Sequence, residues 1–490
     1  VLFFRDQTEE INERIRLGAA SRISDIRFLE LELSKFHKSR KFKDMLRGIR
    51  YYEGEHKILT RERTAIGEGG RPITITNLPN NRILDNQYAK LVDQKVNYLL
   101  SKPLTFETEK DAFGEHLKNI FNWRFMRVFR NIGKGAFNGG VGWLFLYCDE
   151  RGELKFKRFP SYEVLPFWAD ADRTILECAV REYCVDGYEG DKEVVIIKVE
   201  VYQKDGVYFY EKQNGKLVPD HEMPYSPYLT IIEGDEEKPL NWARIPLIAF
   251  RYNSEEIPLI RRTKALQDAI NEVLSDFANN MQEDKRNTIL VIKNYDGADL
   301  GELRRNLATY GAIKVRYDGD VKGGVETLEI NVNAENYKTI LDLLKKAMIE
   351  NGRGYDAKDD RMSSNPNQMN IQSMYSDIDL DANGMETEFQ AAFEDLLWFV
   401  KGYLLHTGQG DYTKEHVNVI FNRDILVNET EAIENCQKSV GILSNETIVS
   451  QHPWTTDINM ELARIAAEKK EEAGLLEDER NLFGDEDGNQ

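Results

Sequence analysis

Apolar residues recur at helical spacing in three stretches of the C-terminal half. In 257–284, Leu266, Ile270, Val273, Phe277 and Met281 step by four, three, four and four, which places them on one helical stripe. In 333–350, Tyr337, Leu341, Leu344 and Met348 repeat the pattern, with Asn333 in the place of an N-cap. In 385–405, Met385, Phe389, Ala392, Leu396, Phe399 and Tyr403 share a face. That helix can reach back to 372, although Gly384 costs about 1 kcal/mol inside it. Between the second and third stretches lies a loop of Gly, Arg, Asp, Ser and Asn with no apolar core. Between the first and second, Ile289–Ile292, Asp299–Leu307, Ala312–Arg316 and Val325–Ile330 read as strand, helix, strand and strand. This β-α-β-β insert of about forty residues is too small for a large core of its own. Long helices that carry a polar loop and a knob suit a scaffold better than a catalytic cleft.

The first half reads differently. Residues 8–55 are charged and helical in pattern, ending at Tyr51–Tyr52, and a polar loop over 60–72 leads to Pro72. A helix is expected over 82–100, stopped by Pro103, and another over 112–137. The second carries Arg124, Arg127, Arg130 and Lys134 along one side, a stripe expected to face solvent or another subunit. From 141 to 252 the pattern is of strands: Trp143–Cys148 and Leu154–Phe159 flank the turn Asp149–Gly152, and 175–185, 193–203 and 206–211 follow. Consecutive strands followed by runs of helix give an α+β body.

Composition narrows the class. A chain of 490 residues can hold more than one core. No apolar run reaches the ~18 residues of a membrane span, and Arg5 interrupts the opening Val1–Phe4 run, so no secretory signal is read. The four cysteines form no CxxC pair, which points to buried thiols in a reducing, intracellular setting. The net charge of −19 opposes tight binding to a nucleic-acid backbone, yet suits contact with DNA that must slide. The charge is uneven: residues 461–490 carry ten acids against four bases, while 35–63 carry ten Lys/Arg against four Asp/Glu.

Enzyme motifs fail one by one. Gly133-Lys134 is followed by Gly135, so no phosphate-binding loop is formed, and Gly133–Gly142 runs from helix to strand, the reverse of a dinucleotide site. There is no HExxH and no GxSxG. One near-miss remains. Asp379, Asp381, Asn383 and Gly384 copy the opening of a calcium loop, but position twelve is Gln390 and position eight is Glu386. They stand as a weak metal candidate, and a divalent-metal enzyme using the Asp377–Asp381 run as the weaker alternative.

Several segments together carry a resemblance. They are Asn81–Tyr88 continuing to Tyr98–Phe106, Phe156–Phe167, Met374–Leu380, Phe421–Glu429, and Ile448–Trp454 ending in His-Pro-Trp. In order and content they resemble portal (head-to-tail connector) proteins of tailed bacteriophages, of the siphophage type, across about 30–470. The resemblance implies a portal-type architecture. An α+β wing would take 1–256, stem helices 257–284 and 333–350, and a clip 285–332. A tunnel loop would take 351–371, a long wing helix with a returning strand 372–424, a helical crown 425–470, and an acidic, disordered tail 471–490. It further implies a ring of roughly twelve subunits at one capsid vertex. Double-stranded DNA would pass through that ring without sequence preference. Expected partners are the terminase large subunit, head-completion or adaptor proteins, and major capsid and scaffolding proteins, with no cofactor and no membrane. The ring would sit in the virion and assemble in host cytoplasm. Arg353, Lys358, Arg361, Ser363, Asn365 and Asn367 would face DNA, with Asp356, Asp359 and Asp360 opposing the cations. Arg304, Arg305, Lys314 and Arg316 would serve clip docking or the channel. A different head-completion or adaptor protein is the other structural alternative.

Overall fold

A computed structural model describes residues 25–66, 70–76, 78–233, 236–284, 289–293, 295–297, 299–312, 314–316, 324–328, 334–356, 368–423, 429–455, 458 and 460–470. They fall in two compact units, Val1–Gly354 with Ala382–Asn422, and Tyr355–Asp381 with Arg423–Gln490.

In the first unit, the described part of the charged stretch 8–55, helical in pattern, is divided into two helices by a single serine. Helix α1 (Ile26–Lys38) ends where the Ser39 amide donates to the Phe36 carbonyl, and α2 (Arg40–Tyr52) starts where Ser39 Oγ accepts from Phe42 N at 3.1 Å. Ser39 is extended, so one residue caps both helices. The helix expected over 112–137 is likewise split. Asn122 caps α5 (Trp123–Gly139) after α4 (Asp111–Ile120) has ended, and α3 (Gln87–Leu100) precedes both.

Helix α5 ends at Gly140, whose φ of +84° is the left-handed cap that reverses the chain into a strand. A Cβ there would lie 2.1 Å from the Glu256 carbonyl oxygen, so both conformation and space demand glycine. Strand β1 (Thr105–Glu107) lies earlier in the chain. After Gly140 come β2 (Val141–Cys148), β3 (Leu154–Phe159), β4 (Val164–Trp168), β5 (Leu176–Glu189), β6 (Lys192–Gln203), β7 (Gly206–Gln213), β8 (Lys216–Pro219) and β9 (Leu247–Arg251). Strands β4 to β8 form an antiparallel meander in chain order, and β2 is flanked by β9 and β3 in a second sheet.

In the middle of the meander both faces of the sheet are packed, so apolar residues point to both sides, with the buried Arg181–Glu200 pair among them. Ala179 pairs with Tyr202, and Val180 with Val201. Cys178, Val180, Val199 and Val201 point one way, against Leu29 and Leu33 of α1. Ala179 and Tyr202 point the other way, against Phe36, Met45, Trp143 and Phe159. Both faces are covered, and each fully buried leucine contributes ~2 kcal/mol. Cys178 and Cys436 are buried as expected, whereas Cys184 is exposed; all four cysteines are unpaired.

The helical half follows. Helix α6 (Ile260–Asp284) leads to the insert, made of β10 (Ile289–Lys293), α7 (Leu300–Tyr310) and β11 (Gly324–Leu328), with β10 and β11 antiparallel. Of the third strand expected at Ala312–Arg316, the described residues show one isolated bridge, Val315 to Tyr295. Lys314, Val315 and Arg316 are exposed, and residue 313 lies outside the described residues. Helix α8 (Ala334–Gly352) follows, then α9 (Gln368–His406), which starts four residues before 372 and passes straight through Gly384. Phe129 and Phe250 close on Phe389 and Phe393 of α9 with ring centroids 5.1–5.8 Å apart, a core of edge-to-face and tilted aromatic pairs. Strand β12 (Asn418–Ile420) pairs with β1.

In the second unit, Ile371, Met374, Tyr375 and Ile378 are buried, and Tyr355 lies over Tyr375 at 4.5 Å. Helices α10 (Glu429–Lys438) and α11 (Asn445–Gln451) meet where Cys436 Sγ reaches the Ile448 carbonyl at 3.8 Å.

Candidate functional site: a polar helix face clamped by segment 81–88

The apolar stripe of α6 is not its most buried face. Ile270 is buried, Leu266, Val273 and Phe277 are half-buried, and Met281 is 50% exposed. The innermost face is polar. Thr263, Gln267, Asn271, Ser275 and Asn279, each four residues from the last, are 0–3% exposed.

Thr263 donates back to the Leu259 carbonyl, and the other four are satisfied by a partner that apolar periodicity does not reveal. Asn279 Oδ1 accepts from Asn81 N at 2.7 Å, Ser275 Oγ from Ile83 N at 2.9 Å, and Asn271 Oδ1 from Asp85 N at 3.0 Å. Gln267 accepts from Tyr88 N and donates to the Asp85 carbonyl, both at 2.8 Å. Two extended residues advance about 6.7 Å, and four helical residues rise about 6 Å. Alternate backbone amides therefore meet every fourth side chain of α6, much as they would meet the carbonyls of a neighbouring strand. This also corrects the helix expected over 82–100. It starts at Gln87 because the amides of 81, 83 and 85 are held by α6 side chains.

The same segment grips α8. Lys345 Nζ lies 2.9 Å from Asp85 Oδ2, so Asp85 touches both helices. Asn280 donates to Tyr337 Oη at 2.7 Å, and Phe277 packs on Tyr337 at 5.1 Å. Residues 277–280 thus meet 337, while the segment bound to Asn271 meets 345, an antiparallel pair. Where α8 ends, Lys95 Nζ, itself 3% exposed, donates to the Arg353 carbonyl at 2.8 Å. Cβ atoms on Gly352 or Gly354 would lie 2.2 and 2.5 Å from Leu91, so α3 fixes the chain where it leaves α8.

Behind the ladder, His56 is buried. Its Nδ1 accepts from Asn271 Nδ2 at 2.9 Å and its Nε2 faces the Tyr51 carbonyl at 2.8 Å. An amide nitrogen only donates and a carbonyl only accepts, so the imidazole is neutral with its proton on Nε2. Burial lowers the His56 pKa, against the opposing pull of the Tyr51 carbonyl. At the N-terminal end of α6, Glu256 has a fully buried side chain and is paired with Lys41, Arg251 and Arg173. Burial pushes its pKa up, but those three cations prevail and hold it below the usual range.

The residues expected to act are only partly placed. Arg353 sits at the end of α8 with an exposed side chain and a φ of +51°. Lys358, Arg361, Ser363, Asn365 and Asn367 lie outside the described residues, as do Asp359, Asp360 and the side chain of Arg304. Arg305, Lys314 and Arg316 are exposed, and Arg316 is ion-paired to Asp296. The basic stripe divides: Arg124, Arg127 and Arg130 are exposed, with Arg130 reaching Asn97, whereas Lys134 is half-buried and lies 3.0 Å from Asp93.

The weak metal candidate is corrected. Asp379, Asp381 and Asn383 lie within helix α9, where residues two apart diverge by ~200° and no calcium-loop turn forms. Asp379 is instead 2.6 Å from Arg423 Nη1, and Asp381 is buried. Among the described residues, no group of three or more His, Cys, Asp or Glu is placed to hold a metal. Nor is any helix among them long and apolar enough to cross a membrane.

Comparison with known proteins gives one consistent family. Residues 32–475 match the family described as phage portal protein, SPP1 Gp6-like. The chain is 28% identical over 490 residues to the portal protein of Bacillus phage SPP1, covering 99% of this chain and 94% of that one. It is 26% identical over 458 residues to the portal protein of Clostridium phage phiCD119, covering 90% and 96%. A chain of a structure described as the neck of the native GTA particle, computed with C12 symmetry, aligns with 13% identity. That alignment has a TM-score of 0.36 and covers 74% of this chain and 88% of that one.

Proposed function

The chain belongs to the phage portal protein family of the SPP1 Gp6-like kind, and from that membership we propose how its parts divide the work. As a portal protein it serves the packaging and ejection of the phage genome as a component of the virion. In our reading, roughly twelve copies close into a ring through two unlike faces per subunit. Helices α6 and α8 are the stem of each subunit. The insert 289–328, with Arg304, Arg305, Lys314 and Arg316, is the clip that receives the terminase large subunit and later the head-completion proteins. The polar stretch between α8 and α9, beginning at Arg353, faces passing DNA. The outer α+β body meets the major capsid and scaffolding proteins during assembly in host cytoplasm. The part played is mechanical, with no covalent chemistry.

One observation carries this reading: segment 81–88 spans α6 and α8 and clamps them as a unit. A helix pair that must hold its form while DNA is driven past it gains from directional bonds at every turn. The Lys95 bond to Arg353 gives the loop a fixed root. Mixed Arg, Lys and Asp in that loop suit weak phosphate contact that slides.

Deletion of 357–366 tests it, since Arg353 and its Lys95 bond are kept. The variant should assemble rings like the wild type, yet give particles that fail to fill with DNA or to keep it. Particles that fill and retain DNA normally would remove the loop from the DNA path.

A further inference from the structure

The sequence stretch 35–63, strongly basic in an acidic chain, is not explained by the helix clamp. The structure folds part of it against the start of α6 to make a cavity of about 410 Å³, within the size range of ligand clefts. Six cations line it: Lys38, Arg40, Lys43 and Arg47 from α1 and α2, and Arg261 and Lys264 from α6.

The lining carboxylate is Asp44, 3% exposed, with Arg47 Nη1 at 2.6 Å, Arg261 Nε at 3.6 Å and Arg40 Nε at 3.7 Å. Lys264 is paired with Asp268. Among the described residues, one lining carboxylate and the neighbouring Asp268 therefore offset six cations. Lys38 and Lys43 are exposed and, among the described residues, have no carboxylate within ion-pair distance. Each guanidinium that touches Asp44 keeps further N–H donors for another acceptor.

The arrangement also runs against helix electrostatics. The first turns of α2 and α6 contain no acid and several cations, although the N-terminus of a helix already carries positive partial charge. Such repulsion persists when an anion relieves it.

We propose that this cavity binds a multivalent phosphate anion, the chemistry offered by a nucleic-acid backbone or by free polyphosphate. Arginine forks match phosphate oxygens two at a time, and the charge excess calls for more than one negative charge. The reading rests on this cavity alone and stands apart from the channel.

The test uses full-length protein with pyrophosphate and a short DNA duplex as probes at low salt. Two variants serve, Lys38→Gln with Lys43→Gln, and Lys43→Gln with Arg261→Gln. The first pair changes only exposed side chains with no ion-pair partner among the described residues, so the fold should survive. Pyrophosphate should raise the melting temperature of the wild type and raise that of both variants less than half as much. If the duplex is the source, its affinity should fall about tenfold or more in the variants, with the salt slope smaller by about two. Pyrophosphate protection with unchanged duplex binding would assign free polyphosphate instead. Equal pyrophosphate effects in wild type and variants, or none in either, would overturn the proposal. So would equal protection by a polyglutamate peptide, which would mark an acidic protein segment. None of these outcomes bears on portal membership.

Discussion

Asn279 Oδ1 accepts twice from Asn81, from the backbone amide at 2.7 Å and from the side-chain amide at 2.9 Å. The two residues are 198 positions apart, and their contact is the first rung of a ladder that continues through Ser275, Asn271 and Gln267. A buried helix face made of polar groups is stable only while each has its partner. Asn271 is the rung with most to lose, since it serves Asp85, Gln267 and His56. Asn271→Ala should cost about 3 kcal/mol by stranding several buried groups, against about 1 kcal/mol for Ser275→Ala, as measured by chemical denaturation.

Protonation of His56 would place a second N–H against the Asn271 amide. Because burial lowers its folded pKa below the ~6.5 of an unfolded histidine, the unfolded chain takes the proton first. The His56 contribution is therefore full above about pH 6.5 and declines as pH falls below that value. Denaturation midpoints measured from pH 7.5 to pH 5 should fall more steeply in wild type than in His56→Gln. Parallel curves would show that His56 does not titrate on unfolding.

Two glycines should respond oppositely to alanine. At Gly140 the left-handed φ and the Glu256 carbonyl at 2.1 Å leave no room, so Gly140→Ala should cost about 3 kcal/mol or more. At Gly384 nothing lies within 4 Å and the backbone is helical, so Gly384→Ala should gain about 0.5–1 kcal/mol. Thermal melts of the two variants should shift in opposite directions.

Glu256 holds Lys41, Arg173 and Arg251 together where α2, β9 and the start of α6 meet. Glu256→Gln leaves three cations around a buried neutral group and should destabilise by about 3–5 kcal/mol. Its lowered pKa means that this support is present above the unfolded value near 4.3 and is lost as pH falls through the folded value.

Much of the fold could be read from local pattern. The long helices, the helix-to-strand turn at Gly140 and the consecutive strands all follow from spacing and turn chemistry. The breaks at Ser39 and Asn122 were missed because each rests on a single capping residue inside a continuing helical pattern. The innermost face of α6 escapes apolar spacing for a deeper reason. Apolar periodicity marks Leu266 to Met281, but the partner of the buried face is a backbone some 190 residues earlier, which wants acceptors rather than oil. The signal was present as Thr, Gln, Asn, Ser and Asn at four-residue intervals, 263 to 279. The cavity around Asp44 was visible only as excess charge, since Arg261 and Lys264 join it through the fold.

Native mass spectrometry of the purified chain at moderate salt tests the ring most directly. The account predicts one closed species of about twelve subunits, or one near it, with little free monomer. A chain that stays monomeric at every concentration would contradict it.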